Sequence, residues 1–147
     1  QRIQIGDAIG RSVFEEIGLA TEFAEAIGGI KFCLQVRNQY AHCMWYDVGA
    51  GTPGFVNLEE VAVKNAKFEP LDLSVHFATL PLLNRQEEYF VWVSDSFAFL
   101  RTECQRRTGL EPIAPETKPK RVERPPLYIP PETGGSPLGP PRPQPYP

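Results

Sequence analysis

Residues 21–45 read TEFAEAIGGIKFCLQVRNQYAHCMW, and the pattern of apolar residues in this stretch decides the fold. Phe23, Ile27, Ile30 and Leu34 recur at steps of four, three and four, and Ala41 and Met44 extend the same stripe. That spacing is one face of an α-helix. Thr21 can cap its start, and Glu22 follows where the helix dipole favours an acid. Gly28-Gly29 interrupts the stripe at about 1 kcal/mol per glycine relative to alanine, which points to a tight helix crossing or a kink. Three residues after Leu34 the stripe calls for an apolar side chain, and Arg37 stands there instead. Arginine stays charged at neutral pH and is costly to bury without a partner.

Outward from this helix the chain divides cleanly. Towards the N-terminus, Ile5, Ile9, Val13 and Ile17 step by four with Phe14 alongside, predicting a helix over residues 2–18 that Gly18 stops. Towards the C-terminus, Trp45–Val48 and Phe55–Leu58 flank a Gly- and Pro-rich cluster, the signature of a short hairpin. A brief helical turn is expected over 59–67, and an extended or irregular path over 71–79. From Leu82 to Arg107, Tyr89, Val93, Phe97, Leu100 and Cys104 form another helical stripe, with Trp92 and Phe99 on a flanking face. Gly109 follows as a stop, and Arg101, Arg106 and Arg107 sit near the negative end of the dipole.

Thirteen of the 16 prolines fall between Pro112 and Pro147. A segment so poor in apolar residues is expected to be disordered with polyproline II character, because it has little to bury against its ordering entropy. Within it, Pro125–Pro131 and Pro140–Pro143 could dock an aromatic groove. The sequence thus predicts a mainly α-helical bundle over residues 1–110 with a small β-hairpin inserted after the central helix, and a disordered Pro-rich tail over 111–147. The chain starts at Gln1 and its one methionine is Met44, so a missing native N-terminus, and with it a further helix, is expected.

Charge excludes a broad nucleic-acid coat. Residues 1–110 carry 10 Lys and Arg against 14 Asp and Glu, and the tail 5 against 4. Proteins that hold duplex by its backbone show a basic field, so any nucleic acid here would be gripped locally. Three cysteines with no paired spacing argue against a disulfide framework and suggest a reducing, cytoplasmic setting. No apolar run approaches a membrane span, so no membrane partner is expected. Cys33, His42, Cys43, His76 and Cys104 match no metal-site spacing, so neither a metal nor a cofactor is predicted. Cys43 beside His42 lacks a third group to orient it as a nucleophile.

The chemically pointed stretch is Arg37-Asn38-Gln39-Tyr40-Ala41-His42. Asn38 and His42, four apart, share a helix face. Arg37 and His42 are rotated by about 140° on an ideal helix, an obstacle that a second copy of the helix would remove. Arginine, a following polar residue and histidine near the end of an amphipathic helix resemble the Arg-x4-His motif of HEPN domains, and the match covers residues 21–45. The resemblance implies a helical bundle that forms a homodimer and brings two motifs into one cleft. It implies a metal-independent endoribonuclease of the toxin–antitoxin kind, with RNA as substrate and an antitoxin or other protein as partner. In that reading His42 is the general base or acid, Arg37 clamps phosphate and Asn38 positions one of them, while Tyr40 could stack on a base.

The residue types suit the chemistry. Metal-free RNA cleavage needs a group to take the ribose 2′-hydroxyl proton, and imidazole titrates in the right range. It also needs a fixed cation at the phosphate, and guanidinium offers a bidentate fork. The competing reading is a non-catalytic nucleotide-binding or protein-interaction module. There Arg37 would pair with Glu87 or Glu88, His42 would serve the helix end, and Tyr40 would pack.

Overall fold

Helix α1 (Arg2–Glu16) turns back at Gly18 into α2 (Ala20–Ala41), a hairpin of strands β1 (Cys43–Asp47) and β2 (Pro53–Asn57) follows, and β3 (His76–Phe77) leads into α3 (Leu80–Arg107). The computed structural model describes residues 2–47, 53–58, 62, 75–110, 112 and 114–128. The bundle is therefore mainly helical, with a three-stranded antiparallel sheet in the order β1-β2-β3. β1 and β2 pair from Cys43 opposite Asn57 to Asp47 opposite Pro53. The turn cluster between these strands and the helical turn expected over 59–67 lie outside the described residues, apart from Ala62. Among the described residues no helix is long and apolar enough to cross a membrane.

Two layers of core hold the helices. Leu19, Phe23, Ala26 and Ile27 of the first turnback and α2 pack on Phe99 and Leu100 of α3, flanked by Phe14, Ile17 and Phe97. Further along, Phe32 and Val36 meet Tyr89, Trp92 and Val93. Between these layers the backbones approach closely. A Cβ on Gly29 would lie 2.6 Å from a Val93 methyl, whereas one on Gly28 would meet nothing within 4 Å. The glycine pair is thus a helix crossing, and only its second member makes the contact. At the α1–α2 turn Gly18 takes φ +72°, a left-handed conformation that suits glycine. Arg107 donates to the carbonyls of Ile17 (2.7 Å) and Gly18 (3.1 Å), satisfying groups the turn leaves open.

Apolar spacing alone does not decide which faces of these helices are buried. In α1 the stripe of Ile5, Ile9 and Val13 faces solvent, and the contact with α2 is made by other residues. Phe14 stacks on Phe23 at 4.5 Å, Gly10 lies against the Phe23 ring, and Asp7 accepts from Lys31 at 2.8 Å. A small residue and an acid let the helices approach and pin them, and the aliphatic stripe turns outward. In α2 the buried face drifts from Phe23 and Ile27 to Phe32, Val36 and Gln39, leaving Leu34 exposed. Arg37 is therefore not a charge forced into the core; it lies on the solvent face beside buried Val36.

The tail departs from expectation most. Residues 114–128, assigned to a disordered segment, run as an extended strap across α2 and α3. Lys118 bridges Glu22 and Glu25 at 3.1 and 3.4 Å, and Arg124 lies over the Phe32 ring at 5.1 Å. Val122 and Leu127 pack on the second core layer, Pro125 is buried, and the Tyr128 ring sits 4.0 Å from that of His76. Composition hid this because a few well-spaced apolar residues suffice when buried side-chain donors satisfy the strap's carbonyls. Residues 129–147 lie outside the described residues.

Candidate functional site

Helix α2 ends at Ala41, and His42 is its C-cap, at φ −113° and ψ 22°. Its backbone N–H still reaches the Asn38 carbonyl at 3.0 Å, and its own carbonyl accepts from the Leu58 amide at 3.2 Å. The main chain of His42 is thereby fixed between the helix and the sheet. Its φ and ψ have left the helical values, so the ideal-helix rotation that separates Arg37 from His42 does not strictly apply to its ring.

Arg37, Asn38 and His42 are all exposed. The Arg37 guanidinium donates to Asn38 Oδ1 at 3.1 Å, which steadies the fork without neutralising it. Among the described residues Arg37 joins no carboxylate. Glu87 and Glu88, its expected partners in the non-catalytic reading, instead line an open groove of about 720 Å³ between α3 and the strap with Lys120 and Asp95. A smaller pocket of about 100 Å³ also lies along the strap, beside Glu22, Glu25 and Lys118. None of the three motif residues lines either space.

The intervening residues of the motif do different work. Gln39, 9 % exposed, donates to the Leu127 carbonyl at 3.0 Å. Tyr40 donates its hydroxyl to Gln86 Oε1 at 2.9 Å, and its ring stacks on Trp45 and meets Phe55 edge-on, each at 5.6 Å. Burial raises its phenol pKa. Tyr40 is thus placed as packing, its polar end and both neighbouring rings committed within the chain. Gln86, only 3 % exposed, completes the network by donating to the Pro126 and Leu127 carbonyls at 3.2 and 3.1 Å.

Cysteine chemistry finds no support at this helix end. Cys43 Sγ donates to the Tyr40 carbonyl at 3.2 Å, and burial raises its thiol pKa. Cys33, on the core side, is pushed up to about 11 by the same cause. A reactive cysteine needs the opposite shift, towards thiolate. His76 is buried between the Phe55 and Tyr128 rings, away from the motif stretch in sequence and held by the strap.

Sequence reasoning missed Gln39 and Gln86 as the residues that hold the strap. A signal existed for the second. Leu82, Gln86, Tyr89 and Val93 step by four, three and four, so an amide stands in an otherwise apolar stripe, as arginine does in α2. Among the described residues the site offers a guanidinium with no carboxylate partner, an amide hydrogen-bonded to it, and an imidazole on a fixed main chain. Guanidinium binds anions, and imidazole exchanges protons near neutral pH. Compared with models of protein families, with curated proteins and with solved structures, the chain matches none.

Proposed function

We propose that the chain is a metal-independent endoribonuclease of the HEPN kind, with Arg37, Asn38 and His42 as its working residues. One observation carries the reading: within a six-residue stretch, these three stay exposed while Gln39 and Tyr40 carry the packing. Structural duty alone would not require a guanidinium that, among the described residues, joins no carboxylate. His42 takes the proton of a ribose 2′-hydroxyl, and the oxygen attacks the adjacent phosphorus. The bond to the 5′-oxygen breaks, and that oxygen takes a proton from solvent water, while the proton held by His42 returns to solvent. Arg37 holds the non-bridging oxygens as charge develops on them, an interaction worth most where donors are already oriented. Asn38 orients the fork through the hydrogen bond that it accepts. The products are a 2′,3′-cyclic phosphate and a 5′-hydroxyl.

The test is incubation of the purified chain with total RNA in EDTA, beside Arg37→Ala and His42→Ala. Cleavage by the wild type with cyclic-phosphate ends, lost in both variants, supports the reading. RNA left intact in every lane overturns it in favour of a non-catalytic module that binds a nucleotide or a protein through Arg37.

A further inference from the structure

Burial along the strap recurs at every third residue. From Pro119 onward, Pro119, Val122, Pro125 and Tyr128 turn towards the bundle, and of the residues between them only Leu127 is not exposed. A polyproline II helix has about three residues per turn, so such a set forms one edge of it. Pro119 lies beside Trp92, Val122 packs on the second core layer, and the Tyr128 ring lies against His76.

A polyproline II backbone makes no hydrogen bonds of its own, and proline has no N–H to enter a ladder. Such a segment is read by donors to its carbonyls and by aromatic surface along one edge. The face made by α2 and α3 supplies both. Gln39 and Gln86 donate to the carbonyls of Pro126 and Leu127, and the Phe32 ring lies under Arg124. The bundle thus holds its own strap as it would a peptide ligand.

Within the strap, Pro125-Pro126-Leu127-Tyr128 sets paired prolines ahead of a tyrosine that lies one turn beyond the first of them. Paired prolines are stiff and enter aromatic slots at low entropic cost, and the tyrosine ring extends the same edge. In the docked strap that edge faces inward, and of the four residues only Pro126 is exposed. Part of the hold is weak: Lys118 and Arg121 pair with Glu22 and Glu25 at solvent-facing sites. We propose that Pro125-Pro126-Leu127-Tyr128 is a recognition motif for a protein domain with an aromatic-lined polyproline groove, kept occluded against α2 and α3 until the strap lifts. Docking and capture compete for one edge, that of Pro125 and Tyr128. The apparent affinity for the partner is reduced by the fraction of chains with the strap undocked.

An isolated WW domain that binds Pro-Pro-x-Tyr peptides is the probe, titrated by calorimetry against the free peptide of residues 119–128 and against the full chain. The peptide is expected to bind, and the wild-type chain to bind roughly 30-fold more weakly or less still. Gln86→Ala removes a donor from the strap and should recover roughly tenfold. Glu22→Gln with Glu25→Gln loosens the strap without touching the core and should recover roughly threefold, which keeps the test open if Gln86→Ala fails to fold. Pro126→Ala keeps the carbonyl that Gln86 holds and alters an exposed ring, so the chain stays folded by circular dichroism. It should abolish binding by the peptide and by the opened chains. A peptide that does not bind overturns the proposal, as does a wild-type chain that binds as tightly as the peptide. Opened chains no tighter than wild type overturn it too. Binding that survives Pro126→Ala in the full chain overturns it and assigns the ligand to Pro140–Pro143. The readout is the affinity of the probe, so RNA cleavage can fail without touching it.

Discussion

Two faces of the same helix end are used in opposite ways. On one, Gln39 and Tyr40 are drawn into a network with Gln86 and the carbonyls of Pro126 and Leu127. On the other, the side chain of Arg37 donates to that of Asn38 and, among the described residues, joins no carboxylate, and His42 lies exposed just beyond the last helical turn. In the proposed reading the difference separates stability from chemistry over six residues. Substitution on the inner face should cost fold, and substitution on the outer face should cost function alone.

The largest expected effect is on the outer face. Arg37→Ala and His42→Ala should each lower RNA cleavage by roughly 10²–10³-fold, the range for a lost charge-stabilising donor or general base. Melting temperatures should stay within about 2 °C of wild type, because surface changes away from packing stay within about 0.5 kcal/mol. A large drop in melting temperature for either variant would erase the distinction between the faces.

The inner face comes next. Gln86→Ala leaves the Pro126 carbonyl and the Tyr40 hydroxyl without their partner and the Leu127 carbonyl with Gln39 alone, and should cost about 2–3 kcal/mol. Urea unfolding would measure that loss. Limited trypsin digestion would report the strap coming free, through faster cleavage after Lys120 and Arg121. Unchanged stability would mean that the strap is held by its ion pairs, which at such exposed sites are worth about 1 kcal/mol or less.

How much of this was legible in the sequence depends on what each residue had to reveal. All three helices and the hairpin followed from period and punctuation, since steps of three and four and Gly-Pro clusters are local signals. The buried side of α1 was not legible, because its contact is made by Gly10 and Asp7 while the aliphatic residues turn outward. The strap was hidden for a related reason: its partners are single amides about 40 to 90 positions away, and spacing along the chain cannot show such a pairing. Of the candidate site, the motif residues were visible, but which of the six would be exposed depended on the drift of the buried face of α2 from Leu34 to Val36 and Gln39.

A third contrast lies inside the Gly28-Gly29 pair and should be smaller. Gly29→Ala pushes a methyl into Val93 and should destabilise by about 1–3 kcal/mol. Gly28→Ala enters open space and should stabilise by about 0.5–1 kcal/mol. Equal effects from the two would break the assignment of the crossing to one glycine.

The smallest effect at neutral pH concerns Glu103, buried at the far end of α3. Its carboxyl is held down to about 2, chiefly by the hydrogen bond from Arg106, with Arg107 and the Glu116 backbone adding to it against the opposing effect of burial. A lowered carboxylate contributes stability that is complete above its ordinary value of 4.5 and is lost as pH falls through about 2. Wild-type stability, followed by urea unfolding, should therefore decline over that window. Glu103→Gln should flatten the decline, and an equally steep curve in the variant would place the acid sensitivity elsewhere.

The hydrogen bond from Gln39 to Leu127 spans 88 positions of the chain. During synthesis at about 5–20 residues per second, the end of α2 leaves the ribosome several seconds before the segment that closes over its inner face. Until then Gln39, Tyr40 and Gln86 face an unfilled groove, and the motif sits on a helix terminus lacking its final support. A closure of such long range also enters late in refolding, after the local helices have formed. The nascent chain therefore acquires its chemical groups early and their rigid mounting last.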